Sequence, residues 1–188
     1  MLASAPARCP VTRRSLPLSQ VYRLLEPGPV VLLTTAGPKR PDVMAMSWHT
    51  MMEFEPPLVG CVISGRSLTS SLLKEARECV INVPTVALAR QVVGCGNVSG
   101  RRVDKFKAFG LTPVAASRVG APLIEECHAN LECRVADTSL VEAYDFFILE
   151  VVKAWVRPSR RRPRTIHHQG RGAFMVAGEV VRLRSGMK

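Results

Sequence analysis

The chain lacks the sequence features that mark several large classes of protein. Its longest apolar stretches, PVVLLTTA and DFFILEVVKAWV, have the length of strands and fall short of the roughly 18 residues of a membrane-spanning helix. It contains no P-loop, no HExxH zinc motif, no nucleophile elbow and no motif that brings Ser, His and Asp together as a triad. We therefore expect no membrane span, no metal site and no acid–base catalytic group.

Cysteine pairs of the CxxC type are also missing, although the chain has six cysteines. In ECHANLECRV, Cys127 and Cys133 share one strand face with Ala129, while Cys61 and Cys79 lie in apolar strands. This pattern predicts buried thiols that act as small hydrophobic residues. Free thiols in this number favour a reducing, cytoplasmic location over a disulfide framework.

Acidic residues are absent from the first 25 positions, where arginines and prolines occur. The prolines interrupt any apolar block of the kind found in a signal peptide, and a transit peptide is the alternative to a loose terminus. We expect residues 1–17 to form a disordered extension and residues 18–188 to form one domain. Within that domain, SQVYRLLEPG predicts a short helix capped by Ser19.

Aromatic residues make up only 5% of a chain whose formal net charge is +11, so few side chains are available to stack on bases. RPSRRRPR, at 157–164, supplies five of the positive charges, and its prolines prevent a helix that would present them on one face. A basic barrel that binds nucleic acid is therefore a distant alternative. A diffuse positive field equally suits a phosphorylated small molecule.

Strand-like segments outnumber helix-like segments along the chain. Turn-bounded apolar runs predict strands at 29–36, 42–57, 58–64, 78–84, 123–138 and 144–156, with a last pair at AFMVAG and EVVRLR. Helical patterns occur at 67–77, with Ser67 as the cap, at 85–94, and at 103–110, with Gly110 as the end of the helix. GCGNVSGRR is predicted to be a loop because its spacing does not fit a dinucleotide fingerprint. These elements predict a mainly β fold, an antiparallel barrel with helices inserted.

The stretch DVMAMSWHTMMEFEPP, at 42–57, separates into two faces when it is read as a strand. One face is bulky and is predicted to point to the core: Met44, Met46, Trp48, Thr50 and Met52. The other carries Val43, Ala45, Ser47, His49, Met51 and Glu53. The second face has two small residues, Ala45 and Ser47, next to His49. Core packing alone does not explain small residues at these positions.

The segment ISGRSLTSS, at 63–71, combines a strand end, a glycine turn and a hydroxyl-rich helix start. Free amides and the positive end of the helix dipole converge at such a start and favour an anion. The hydroxyls of Ser64, Ser67 and Thr69 supply donors for a phosphate, and the guanidinium of Arg66 would complete the cradle. The alternative is an ordinary capped helix, because Ser and Thr are common caps.

Five segments occur in an order and at a spacing that resemble the flavin reductase-like, FMN-binding split-barrel family, near its flavoredoxin-type members: PGPVVLLTTAG, DVMAMSWHTMMEFEPPLVGCVIS, ECVINVP, SGRRVDKFKAFGL and HHQGRGAFMVAGE. The resemblance extends from about Leu18 to the C-terminus. Its most specific parts are SWHT followed by EPP, the hydroxyl-rich turn and the DKF segment. It implies an antiparallel Greek-key split β-barrel with inserted helices.

The resemblance also implies the residues that hold FMN. A flat ring would approach the backbone where side chains are small, at Ala45 and Ser47, and the family pattern places at the ring Met46, Ser47, Trp48, His49 and Thr50. It places at the phosphate Ser64, Arg66, Ser67 and Thr69. Asn82 and Val83 would contact the ribityl chain or ring edge, Lys105 and Phe106 would close over the cofactor, and His167, beside His168, would lie over its outer face. Each of several residues also has an interpretation in which it does not contact FMN. Trp48 would lie in the core, and Val83 would lie at a plain strand end. Lys105 and Phe106 would belong to an ordinary helix, and the two histidines would lie in solvent.

The activity implied by the resemblance is that of a homodimeric oxidoreductase, in which NADH or NADPH delivers a hydride to the flavin. The electrons would pass to a free flavin, another protein or a small acceptor. Because the cofactor carries the redox chemistry, no catalytic side chain is required. The main alternative is a flavin-binding electron carrier that has no nicotinamide site of its own.

Overall fold

Antiparallel strands dominate the computed structural model, which describes residues 28–158 and 162–184. Its longer strands are β1 Val31–Thr35, β2 Asp42–Met46, β3 His49–Phe54, β4 Pro57–Val62, β5 Glu78–Val83, β8 Ala129–Asp137 and β9 Phe146–Val156. Within the described residues these form a seven-stranded sheet in the order β2-β1-β5-β8-β9-β4-β3. The short strands β6 Pro113–Val114 and β7 Leu123–Ile124 pair with each other, as do β10 Ile166–His168 and β11 Phe174–Val176.

The two edge strands of the sheet, β2 and β3, follow one another in the chain and are joined through Ser47 and Trp48. At one edge Ala45 lies opposite Leu32 of β1, and at the other His49 lies opposite Cys61 of β4. Because the chain passes directly from one edge to the other, the sheet has to curl and bring its edges together. This curled half-barrel is the predicted mainly β, antiparallel fold.

Apolar side chains pack against both faces of the curled sheet. In β1, Val31 and Leu33 point into the half-barrel, while Leu32 and the preceding Val30 point outward, towards the helices, and all four are buried. A strand covered on both faces is apolar at successive positions, which explains the unbroken run VVLL.

Helices are inserted between the strands: α1 Leu68–Ala76, α2 Ala89–Asn97, α3 Lys105–Phe109 and α4 Val141–Tyr144, with a 3-10 turn at Val86–Leu88. Ser67 caps α1 as predicted, because its Oγ accepts a hydrogen bond from Ser70 N at 3.0 Å. Gly110 ends α3 in the left-handed conformation, also as predicted.

The predicted single strand at 42–57 is wrong, because the chain leaves β2 at Met46 and resumes as β3 at His49. The predicted faces hold only within β2, where Met44 and Met46 pack inside the half-barrel while Val43 and Ala45 face the helices. Beyond the break they fail, since Trp48, assigned to the core, is 54% exposed. The helices cover the second face of β2, and the period of two does not continue across the break.

Four other segments differ from the prediction. The start of GCGNVSGRR belongs to α2, because the absent side chain of Gly94 lets that helix pack on the ring of Phe109. The region 123–138 contains two separate strands, and SLVEA, predicted only as the connection to the next strand, includes most of α4. EVVRLR, at 179–184, has no regular secondary structure. The predicted N-terminal extension and all of the SQVYRLLEPG helix up to Pro27 lie outside the described residues.

The cysteines among the described residues are buried free thiols: Cys61, Cys79, Cys95, Cys127 and Cys133. The strand pattern predicts this for all of them except Cys95. Burial raises the pKa of Cys61 and of Cys127 to about 12, so both thiols stay protonated at neutral pH. Among the helices that the structure describes, none combines the length and the apolar character needed to cross a membrane.

Candidate functional site

Two cavities lie side by side along β2 and α2 and form one groove. The apolar cavity, of about 290 Å³, is lined by Val30, Ala45, Met46, Ser47, Val92, Val93, Gly96, Asn97, His168, Gly172 and Phe174. The basic cavity, of about 430 Å³, has among its lining residues Ser64, Arg66, Ser67, Thr69, Ser99, Arg102 and Lys105. The groove therefore has an apolar half and a half rich in hydroxyl and basic groups.

The two halves meet at a narrow waist formed by Ala45, Gly96 and Asn97, which line both cavities. A Cβ atom added at Gly96 would meet the Cβ of Ala45 at 3.7 Å, so a side chain at this position would bring the two walls into van der Waals contact. Small residues thus keep the passage open. Asn97 contributes the side-chain amide of the waist.

The start of α1 forms one wall of the basic cavity. Ser67 Oγ is occupied as the helix cap, and Ser64 Oγ accepts a weak hydrogen bond from Arg66 N at 3.4 Å. Arg66, just before α1, and Arg102, in the segment between α2 and α3, are both exposed and line the cavity. Helix amides and two guanidinium groups make this half of the groove suitable for an anion.

A buried polar network lies beneath the basic cavity. Thr69 Oγ1 donates to Asp42 Oδ2 at 2.9 Å, and Lys105 Nζ donates to Val43 O at 2.7 Å while lying 4.0 Å from Asp42 Oδ1. A Cβ at Gly100 would collide with the same carboxylate. Thr69 was expected at the phosphate and Lys105 was expected to close over the cofactor, but both have their polar atoms committed to Asp42 and β2.

Cys95 also lines the basic cavity, yet the structure does not make it a nucleophile. Burial raises its pKa to about 11, although the positive charge of Lys105 acts in the opposite direction. The thiol is thus neutral near pH 7, and a neutral thiol is a poor nucleophile.

The apolar cavity is closed on one side by the β10–β11 hairpin. The rings of His168 and Phe174 lie 5.3 Å apart at a tilt of 48°, and both residues line the cavity. Gly172, with φ of +76°, makes the turn between them. His167, the predicted contact, is absent from this lining, and its Nε2 lies 3.0 Å from Thr165 Oγ1.

Other predicted site residues also lie outside the lining of both cavities: Trp48, His49, Thr50, Asn82, Val83 and Phe106. His49 Nε2 lies 2.7 Å from Pro29 O. The fully buried side chain of Asn82 donates to Leu32 O at 3.0 Å and accepts from Ile124 N at 2.9 Å, while Phe106 packs in the core beneath α2. The predicted residues that do meet in the groove are Met46, Ser47, Ser64, Arg66, Ser67, Thr69 and Lys105.

The groove also contains residues that the sequence reasoning did not select, chiefly Gly96, Asn97 and Arg102. Their segment was assigned to a loop and set aside because it did not fit a dinucleotide fingerprint. The available signal was the pair Gly94 and Gly96, since glycines two apart near a helix end indicate close approach on two sides.

The family model described as "Flavin reductase like domain" matches residues 23–184. The uncharacterized protein YddH of Escherichia coli (strain K12) is 36% identical over 179 residues, which cover 87% of this chain and 94% of that protein. The FMN reductase (NADH) RutF of Bradyrhizobium diazoefficiens is 28% identical over 124 residues, 65% of this chain and 66% of that protein.

A crystal structure of an FMN-binding domain of a flavin reductases-like enzyme from Shewanella baltica OS155 superposes with a TM-score of 0.78. The two chains are 26% identical, and the match covers 90% of this chain and 96% of that one. The likeness confirms the predicted split-barrel fold.

Proposed function

The chain belongs to the flavin reductase-like domain family, and from this membership and the shape of its groove we propose that it binds FMN and acts as an oxidoreductase. One observation carries the proposal. The groove joins an apolar half to a basic half through a waist of small residues, and FMN has the same sequence of parts: a flat apolar ring, a polyol chain and a phosphate.

The basic cavity would hold the phosphate. Asp42 and Lys105 balance each other beneath the floor, so Arg66 and Arg102 leave the cavity with an excess of positive charge. Ser64, Ser67 and the first amides of α1 would add hydrogen-bond donors. Thr69 would act mainly by holding α1 against β2 through Asp42.

The apolar cavity would hold the isoalloxazine ring. Ala45 and Ser47 leave the end of β2 accessible, Met46 and Val92 contribute apolar surface, and Phe174 closes one side. These residues would orient the ring and exclude water, while FMN, when bound, would supply the redox chemistry. No side chain in this arrangement has to act as an acid or base.

The electron donor in this proposal is NADH or NADPH, and the acceptor is a free flavin, another protein or a small molecule. The likeness to an FMN reductase (NADH) supports a nicotinamide donor. We further propose that the protein is a homodimer, in which the second subunit helps to wall the apolar cavity. Exposed apolar residues at and beside β3, such as Trp48 and Met51, support a protein contact there.

The visible spectrum of the purified protein tests the cofactor, and the fate of NADH and NADPH tests the activity. We expect a yellow protein that releases FMN on denaturation and bleaches the nicotinamide absorbance when FMN is added. A flavin-free protein that also fails to bind added FMN would refute the proposal. FMN binding without nicotinamide oxidation would indicate the electron carrier instead.

Ser67→Asp tests the phosphate position while preserving the helix, because aspartate is also a good N-cap. We expect the FMN affinity to fall by about tenfold or more from charge repulsion, while riboflavin, which has no phosphate, binds as it does to the wild type. Titrations followed by flavin fluorescence measure both ligands. An unchanged FMN affinity would remove Ser67 from the phosphate site.

A further inference from the structure

β3 is an edge strand whose outer side is not paired with any described strand. Every residue from Thr50 to Phe54 is exposed, and Phe54 is 87% exposed. An exposed apolar edge is a template for another strand, since its backbone groups and side chains have no protein partner on that side. We therefore expect another segment to pair with this six-residue edge.

The C-terminal segment (residues 179–184), with the sequence EVVRLR, has the complementary property. The backbone ladder that precedes it ends where Ala177 N donates to Thr165 O at 2.9 Å. Beyond that point the segment is exposed and unpaired within the described residues, and Leu183 is 82% exposed. Valine and leucine alternating with arginine are typical of a strand, yet here the strand is not formed.

The two segments are opposite in charge. β3 ends at Phe54 with Glu53 before it, and Glu55 follows in the turn, while the C-terminal segment ends with Arg182, Leu183 and Arg184. In an antiparallel pairing that sets Phe54 opposite Leu183, Glu53 would lie opposite Arg184. Glu55, one residue beyond the strand, would then lie near Arg182.

We propose that the C-terminal segment of one chain adds as a strand to the outer edge of β3 in a second copy, and reciprocally. Within a single chain both segments are exposed, so they do not cover each other. A twofold axis satisfies both contacts at once and closes the assembly. This pairing rests on the homodimer in the proposed function, and it specifies which surfaces form the dimer interface. It does not depend on whether the protein binds FMN.

Charge reversal tests the pairing on the full-length protein. Variants E53K/E55K and R182E/R184E each replace both attractions with repulsions, and the fourfold variant that combines them restores opposite charges. The control E75K/R90E reverses two exposed charges on α1 and α2 without changing the net charge. Light scattering after size exclusion, across a protein dilution series at low salt, gives the dimer dissociation constant.

We expect a dimeric wild type and control, a dissociation constant raised by about tenfold or more in each double variant, and recovery to within about threefold in the fourfold variant. A monomeric wild type, a double variant that dimerises like the wild type, or a fourfold variant without recovery would each overturn the pairing. FMN titration of the wild type separates this outcome from the flavin proposal. A dimer that binds no FMN would contradict only the latter.

Discussion

At the scale of single residues, Asp42 connects three elements beneath the groove. Its carboxylate accepts from Thr69 of α1 and faces Lys105 of α3, and it belongs to β2 itself. Both Asp42 and Lys105 are almost fully buried, with 6% of each side chain exposed. A buried charge is costly when its partner is removed, so this carboxylate is a structural requirement of the floor.

Replacing Asp42 with Ala should therefore lower the free energy of unfolding by about 3–5 kcal/mol, because Lys105 is left buried without a counter-charge. Urea unfolding followed by circular dichroism measures the loss. The matched control is Glu142→Gln, which removes the exposed partner of Lys74 and should change stability little. Equal losses in the two variants would contradict a specific role for the Asp42 network.

Asn97 offers a test of the waist. If its amide contacts the polyol chain of the flavin, Asn97→Ala should weaken FMN and riboflavin binding by roughly fivefold, the effect of one lost hydrogen bond. Lumiflavin has the ring without the polyol and should bind equally to both proteins. Fluorescence titration with the three ligands gives the comparison, and an equal loss for lumiflavin would assign Asn97 a merely structural role.

Single residues also show which structural features could be predicted from the sequence alone. The cap at Ser67 and the helix end at Gly110 depend on local chemistry and were predicted correctly. The environment of Trp48 depends on where the chain leaves the sheet, and that of Thr69 depends on a carboxylate 27 positions away. Neither the exposure of Trp48 nor the hydrogen bond of Thr69 to Asp42 can be predicted from a local sequence pattern.

At the scale of elements, β8 fixes the segment at 115–122 against the sheet through one carboxylate. The fully buried Glu132 accepts from Ser117 N at 3.1 Å, Ser117 Oγ at 3.0 Å and Trp155 Nε1 at 2.7 Å. Burial raises the pKa of Glu132, but the hydrogen bonds from Trp155 and Ser117 outweigh it and hold the pKa below its usual value. The ionised form is therefore the one that the fold stabilises.

The pH dependence of stability follows from this lowered pKa. Above the ordinary glutamate pKa of about 4.5, the contribution of Glu132 is fully present, and it is lost as the pH falls through the lower folded value. Glu132→Gln should melt at a lower temperature than the wild type at pH 7, and the gap should narrow below pH 4. A gap that stays constant down to pH 3, measured by scanning calorimetry, would contradict this assignment, and Glu75→Gln is the exposed control.

The elements also explain which part of the groove was missed. The strands and α1 were predicted from turn-bounded apolar runs, and they supply one wall with Ser47, Ser64 and Arg66. The opposite wall is the end of α2, which was predicted to be a loop and whose two glycines have a low helix propensity. Tertiary packing against Phe109 overrides that propensity, and this packing is visible only once the helices are in place.

At the scale of the whole molecule, the formal charge of +11 should act on the proposed ligand before contact. A positive field attracts the FMN phosphate over a distance that salt shortens, from about 30 Å at 0.01 M to about 8 Å at 0.15 M. The association rate of FMN should fall by about threefold or more across that range, while that of uncharged riboflavin stays nearly constant.

Stopped-flow fluorescence measures the association rates of FMN and riboflavin at each salt concentration. The variant R66Q/R102Q separates the effect of the long-range positive field from the effect of direct contacts with the phosphate. Removing two charges at the basic cavity should greatly increase the dissociation rate of FMN, because the contacts that hold the phosphate are lost. The same change should weaken the salt dependence of association only in part, since most of the positive charge lies elsewhere in the chain. Equal salt dependence for riboflavin and FMN would mean that the net charge does not steer the phosphate, and the excess of arginine would then need another partner.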